Sequence, residues 1–66
     1  MKIRVNGEER ETAEGTTVAG LLEELAVKAR GIAVDLNGEV VPRSAHRTTV
    51  LREGDAVEIV RMVGGG

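Results

Sequence analysis

The sequence predicts an α+β fold, a mixed sheet of four to five strands with one helix packed across it. Segments near both ends of the chain alternate between apolar and polar residues, as half-buried strands do. A segment between them repeats its apolar residues at helical spacing, and two Asn-Gly pairs indicate tight turns. The first and last strands show the strongest patterns, so we expect them to lie side by side in the centre of the sheet.

The first hairpin is predicted from residues 2–5, where apolar and basic side chains alternate. Asn6-Gly7 follows, and this pair suits a two-residue hairpin turn because both central residues of such a turn need a positive φ. Residues 8–12 are predicted to return as a polar strand at an edge of the sheet, where charge discourages pairing with other chains.

A second hairpin is predicted around Asn37-Gly38. Residues 32–36 form its first strand, and Pro42 ends the return strand because proline has no N–H to donate. The polar residues 43–49 are predicted to form a loop or a short helical turn, and residues 50–51 a further short strand.

The helix is predicted to begin after Thr17, whose hydroxyl can accept from the free backbone N–H groups of the first turn. Apolar residues then recur at the i, i+3, i+4 and i+7 spacing of one buried helix face. Gly31, which follows two basic residues, is the predicted stop. The apolar residues of this face are Val18, Leu21, Leu22 and Leu25.

The last strand is predicted over residues 56–63, after a turn at residues 53–55. Its alternation points Val57 and Ile59 toward the core and three residues toward the opposite face. If the helix leaves that opposite face uncovered, its apolar side chains form a docking patch, to which Arg43 could add a contact with partner acids. Alternatively, they form a second small cluster under the polar loop. The three residues are Glu58, Val60 and Met62.

Composition argues against several classes of protein. The 66 residues carry eleven acidic and nine basic side chains, a net charge of −2, and no aromatic residue, so we expect no binding to nucleic acid. There is no cysteine and only one histidine, His46, for which a surface role is the simplest interpretation; no metal site is expected. Without disulfides, a signal-peptide pattern or an apolar run of membrane length, a single cytoplasmic domain is expected.

The sequence ends with three consecutive glycines, which have no side chains to pack against a globular core. We therefore divide the chain into a domain over residues 1–63 and a flexible tail over residues 64–66. An end without side chains can be threaded into a narrow channel that any side chain would block. Its carboxylate is a poor acyl donor until it is activated, for example as a mixed anhydride with AMP. The carbonyl can then accept a sulfur nucleophile.

Several short segments, taken together in their order and spacing, carry a resemblance to a known family. They are Met1-Lys2-Ile3, Asn6-Gly7, Thr17-Val18, Leu21-Leu22, Leu25, Val34, residues 37–43, residues 51–55, residues 57–60, and the terminal Val63-Gly64-Gly65-Gly66. Over essentially its whole length the chain resembles the ThiS family of thiamin-biosynthesis sulfur carriers, which have a ubiquitin-like β-grasp fold. One departure is His46, at a position where the family often has tryptophan.

The resemblance implies that the chain is a carrier rather than an enzyme, with no bound cofactor of its own. A ThiF-like adenylyltransferase would use ATP and magnesium to convert the Gly66 carboxylate into an acyl-adenylate. Sulfur relayed from cysteine through a cysteine desulfurase would replace AMP and leave a thiocarboxylate. A ThiG-like thiazole synthase would then accept that sulfur, with Gly64 and Gly65 giving the tail its reach.

Other functions share parts of this pattern. The small subunit of molybdopterin synthase, called MoaD-like, uses the same fold, tail and activation, although its chains tend to be longer. A carrier for tRNA thiolation or a protein-conjugating modifier is a second alternative. A pure interaction domain with incidental glycines is an alternative of a different class. In each case the chain alone is expected to be a monomer.

Overall fold

The computed structural model describes residues 1–62, which form five strands, one α-helix and one 3₁₀ turn. The five strands form a single sheet with the order β2-β1-β5-β3-β4. The elements are β1 (Lys2–Val5), β2 (Glu8–Glu11), α1 (Val18–Glu24), β3 (Ile32–Leu36), β4 (Glu39–Val41), the 3₁₀ turn (Arg43–Ala45) and β5 (Ala56–Arg61).

The sheet is mixed, as the sequence predicted. β1 and β5 run parallel, and the other neighbouring strands are antiparallel. β5 takes the central position with β1 beside it, so the expected pairing of the first and last strands is confirmed. Parallel neighbours need a crossover connection, and the chain between β1 and β5 supplies it with the helix and the second hairpin.

Both Asn-Gly hairpins are confirmed, and their asparagines do more than turn the chain. Asn6 and Asn37 adopt φ angles of 51° and 52°, and the glycines after them are also positive, as a type I′ turn requires. The Asn6 side chain accepts from the Ile59 N–H at 2.7 Å. The Asn37 side chain accepts from the Ala56 N–H at 2.9 Å. Each turn is therefore fastened to the central strand β5.

The helix begins where the sequence predicted and ends earlier. Thr17 is the N-cap, and its hydroxyl oxygen accepts from the Gly20 N–H at 3.1 Å. The helix ends at Glu24, so the predicted stop at Gly31 is wrong. Ala26 has a φ of 57°, and the N–H groups of Ala26 and Val27 donate to the carbonyls of Glu23 and Leu22. This is a Schellman cap with alanine at the left-handed position that glycine usually occupies.

Replacing Ala26 with glycine is expected to stabilise the protein by about 1 kcal/mol, because the left-handed conformation strains a residue with a Cβ. The free energy of unfolding from urea titration measures the effect. Ala19→Gly is the matched control, since Ala19 lies inside the helix, where glycine should cost about 0.5–1 kcal/mol. A loss of stability in Ala26→Gly would contradict the cap assignment.

The core lies between α1 and one face of the sheet. Leu51 is buried after a single bridge between Val50 and Thr17, so the predicted short strand at residues 50–51 is reduced to one residue pair. The buried apolar residues are Ile3, Val18, Leu21, Leu22, Val34, Val41, Leu51 and Val57. Leu25 packs against this core only in part because it is the C-cap residue of the shortened helix.

His46 is buried, with 5% of its surface exposed, and the predicted surface role is wrong. Its Nε2 lies 3.2 Å from the Val41 carbonyl oxygen, which can only accept, so Nε2 carries the proton. The His46 carbonyl in turn accepts from the Ala19 N–H at 2.9 Å. The loop after β4 is therefore folded onto the start of the helix, and the imidazole lies beneath it.

Candidate functional site

The candidate tail is attached to the central strand of the sheet. β5 ends at Arg61, and the Met62 N–H donates to the Gly31 carbonyl at 2.8 Å. Met62 is the last residue that the structure describes. The predicted tail, Gly64, Gly65 and Gly66, and the domain boundary at residue 63 lie outside the described residues.

One face of the sheet is not covered by the helix, and the last strand contributes to it as predicted. Val57 is buried, whereas Val60 and Met62 are 54% and 59% exposed. Glu58 is exposed on the same face. Within residues 1–62 no loop covers these side chains, so the alternative of a second small apolar cluster is wrong. The uncovered face is available for contacts.

Neighbouring strands extend this face. The strand register places Ala33 opposite Val60 and places Asp35 opposite both Glu58 and Val40. Val40 is 71% exposed. We call this surface the open face, and it consists of Ala33, Asp35, Val40, Glu58, Val60 and Met62. It combines exposed apolar side chains with two carboxylates.

The two carboxylates of the open face are poorly satisfied within the described residues. Asp35 and Glu58 are direct cross-strand partners, an arrangement in which like charges repel. The Oδ1 atom of Asp35 is buried and has no hydrogen-bond partner among residues 1–62. At the β1–β2 edge of the same face the charges are paired within the chain, with Lys2 Nζ 3.6 Å from Glu9 Oε2. Arg4 lines the same depression as Asp35 and Glu58 without forming an ion pair within 4 Å among residues 1–62, so this part of the open face presents charges of both signs.

Asp35 and Val40 were not assigned to the docking patch from the sequence, although the alternation of β3 indicated the side on which Asp35 lies. The alternation of residues 32–36 places Asp35 on the side opposite the buried Val34. The pairing of Asp35 with Glu58 depends on strand register, which the alternation does not specify.

Arg43 is not part of the open face. It belongs to the 3₁₀ turn and lines a separate cleft beside the helix, together with Leu22, His46 and Arg47. The structure therefore brings Glu58, Val60 and Met62 together and leaves Arg43 apart from them. Arg47 was not singled out from the sequence, because nothing in the polar loop indicates which side chains face the helix.

The described residues offer surfaces rather than a cluster of reactive groups. No group of three or more histidine, aspartate or glutamate side chains in residues 1–62 is placed to hold a metal ion. The one helix of this part of the chain is too short to cross a membrane. The site is therefore built from the open face and the end of β5 beside it.

One helix crossing a five-stranded mixed sheet, with a central parallel pair formed by the first and last strands, defines the ubiquitin-like β-grasp class. The model of the ThiS family matches residues 3–66. The chain belongs to the ThiS family.

Three similar proteins illustrate the relationship. The chain is 42% identical over 62 residues to the sulfur carrier protein ThiS of Thermus thermophilus, covering 94% of this chain and 95% of that protein. It is 42% identical in sequence to the thiamine biosynthesis protein (ThiS) from Geobacter metallireducens. The crystal structure of that protein matches the structure of this chain with a TM-score of 0.89 and full coverage of both chains. It is 46% identical over 66 residues to a thiazole synthase of Paramagnetospirillum magneticum, spanning all of this chain and 20% of the length of that protein.

Proposed function

We propose that the chain is a sulfur carrier of thiamin biosynthesis, a co-substrate rather than an enzyme, and that Gly66 carries the sulfur. The observation that carries this proposal is the extent of the family match, which runs to residue 66 and includes the three glycines. Proteins named sulfur carrier match the chain over nearly their whole length, which supports the same role here.

The chemistry takes place at the terminal carboxylate. A carboxylate oxygen of Gly66 attacks the α-phosphorus of ATP, pyrophosphate leaves with magnesium, and the acyl-adenylate forms. A persulfide sulfur then attacks the carbonyl carbon and AMP leaves. Cleavage of the sulfur–sulfur bond by a thiol releases the thiocarboxylate. ATP and magnesium act in the partner enzyme, and the carrier contributes the acyl group.

The domain positions the tail for this chemistry. Four residues follow Met62, and a fully extended chain of that length reaches at most about 13–14 Å. A partner must therefore bring its reacting atoms within that distance of Met62. The open face lies beside this point, so a partner that surrounds the tail also meets Val60 and Met62.

Three partners follow from this function: a ThiF-like adenylyltransferase, a cysteine desulfurase as the sulfur source, and a ThiG-like thiazole synthase. The thiazole synthase has support beyond the family match, because a segment similar to this chain forms 20% of the thiazole synthase of Paramagnetospirillum magneticum. We place the work of the carrier in the cytoplasm, where ATP and persulfide sulfur are supplied.

The proposal is tested by supplying the thiocarboxylate form to two acceptors in parallel, a thiazole synthase and the large subunit of molybdopterin synthase. We expect thiazole formation with the first and little or no molybdopterin formation with the second. Val60→Asp places a charge beside the Asp35–Glu58 pair and should weaken binding to the synthase while the fold stays intact.

Val50→Asp is the matched control for Val60→Asp. Val50 is 46% exposed and lines a different depression, with Met1 and Leu51, so its replacement should leave sulfur transfer unchanged. Preferential transfer to the molybdopterin synthase subunit would overturn the thiamin assignment. If Val60→Asp and Val50→Asp weaken binding to the synthase equally, the open face is not its docking surface.

A further inference from the structure

A cleft on the helix side of the molecule has no role in the function proposed above. Its two walls differ in chemistry, and its volume is about 640 Å³, enough for several side chains rather than a single ion. The apolar wall consists of Ala19, Leu22, Val27 and Ala29, and the polar wall of Arg43, Ser44 and Arg47. We call it the basic cleft.

The polar wall is held in place by the buried histidine. His46 lies between the two arginines in sequence. Its ring N–H donates a hydrogen bond to the Val41 carbonyl, and its backbone carbonyl accepts a hydrogen bond from the Ala19 N–H. The Thr49 hydroxyl adds a 2.7 Å hydrogen bond to the Ala45 carbonyl in the same loop. Because the loop is fixed to the helix, the backbone at Arg43 and Arg47 is ordered before any partner arrives, which lowers the backbone entropy lost on binding.

The two arginines carry charge that no other described residue neutralises. In residues 1–62, basic side chains form ion pairs within 4 Å only at Lys2 with Glu9 and Arg10 with Glu24. Glu23 lines the basic cleft but forms no such pair with Arg43 or Arg47. The cleft is thus a positive surface on a chain whose net charge is −2.

The positive surface continues toward the end of β5. Val27 lines both the basic cleft and a neighbouring depression that also contains Met62. That depression contributes three more basic residues, which form no ion pair with another described residue. They are Lys28, Arg30 and Arg61. A protein that approaches the tail from this side therefore meets a continuous basic band, and an acidic partner surface would be drawn to it.

We propose that the basic cleft docks a carboxylate-bearing, partly apolar segment of the enzyme that adenylates the tail; this inference rests on the proposed function. A bare phosphate would satisfy the arginines but leave the wall formed by Leu22 and Val27 in water. A segment that places an apolar side chain beside one or two carboxylates matches both walls. Arg43 and Arg47 are then specificity residues for that partner.

Steady-state activation by the adenylating enzyme of the same genome provides the first test. The double variant Arg43→Glu/Arg47→Glu should raise KM for the carrier about tenfold, since both attractions become repulsions, and should leave kcat nearly unchanged. Arg52→Glu is the matched control, because Arg52 is also exposed but lines a different depression, with Met1 and Glu53. If wild type is activated and the double variant keeps its KM, the basic cleft is not a docking site.

A titration independent of activity separates failure of this inference from failure of the carrier function. A short peptide of alternating leucine and glutamate is added to ¹⁵N-labelled full-length protein and followed by NMR. We expect saturable shifts at the amides of Ala19, Val27 and Arg47, at least fivefold weaker binding in the double variant, and no saturation with a leucine–lysine peptide. This result supports docking of an acidic, partly apolar segment at the basic cleft even if no activation is found. Shifts with inorganic phosphate alone, concentration-dependent self-association through the cleft, or no shifts at all would overturn it.

Discussion

Replacing Leu21 with alanine is expected to lower the free energy of unfolding by about 2–5 kcal/mol. Leu21 is 0% exposed and lies on the helix face that packs against the sheet. With no Phe, Tyr or Trp in the chain, the apolar core of residues 1–62 is made of aliphatic side chains, of which eight are buried. Loss of one leucine leaves a cavity that so few neighbours cannot close.

The size of the protein makes this loss severe. At about 0.05–0.15 kcal/mol per residue, a chain of this length has a total stability of about 3–10 kcal/mol, so the variant should lose a large share of its stability. Urea denaturation followed by circular dichroism measures it. Leu25→Ala is the matched control, and its cost should be smaller because Leu25 is only half-buried at the helix end. A loss below about 1 kcal/mol for Leu21→Ala would contradict the packing of α1.

Features with a local cause could be predicted from the sequence. The two Asn-Gly turns and the Thr17 cap depend on residues within a few positions of one another, and all three are present. The exposed side of β5 follows from its alternation alone. The central position of the first and last strands was predicted from the strength of their patterns, whereas the order of the other strands was not predicted.

Features that depend on distant segments were missed or wrong. The basic residues before Gly31 continue a helical pattern, but Ala26 takes the left-handed conformation and the helix stops. His46 looks like a solvated loop residue until the loop is seen to fold against Ala19. The basic cleft needs that same long-range contact, because it brings Arg43 and Arg47 to the helix.

Deleting Gly65 and Gly66 is expected to abolish activation and leave the melting temperature unchanged. The buried core and the five strands that the structure describes lie within residues 1–62, so the deletion removes none of their residues. The new terminus, Gly64, stops short of the partner's reacting atoms by about 7 Å of extended chain. Circular dichroism melts and an activation assay measure the two effects.

Gly65→Ala is the control that separates reach from shape. It keeps the length of the tail and adds one methyl group, so any loss of activation reports on the side-chain-free channel rather than on distance. A large drop in the melting temperature of the deletion variant would instead show that the glycines contribute to the fold.

The mass of the intact carrier after activation tests the central claim most directly. The full chain is incubated with the adenylating enzyme, ATP, magnesium, a desulfurase, cysteine and a thiol reductant, and then analysed by mass spectrometry with fragmentation. We expect a gain equal to one sulfur in place of one oxygen, located on Gly66 and absent from the deletion variant. An unchanged mass with a partner system that is active on another carrier, or a gain at any other residue, would contradict the proposed function.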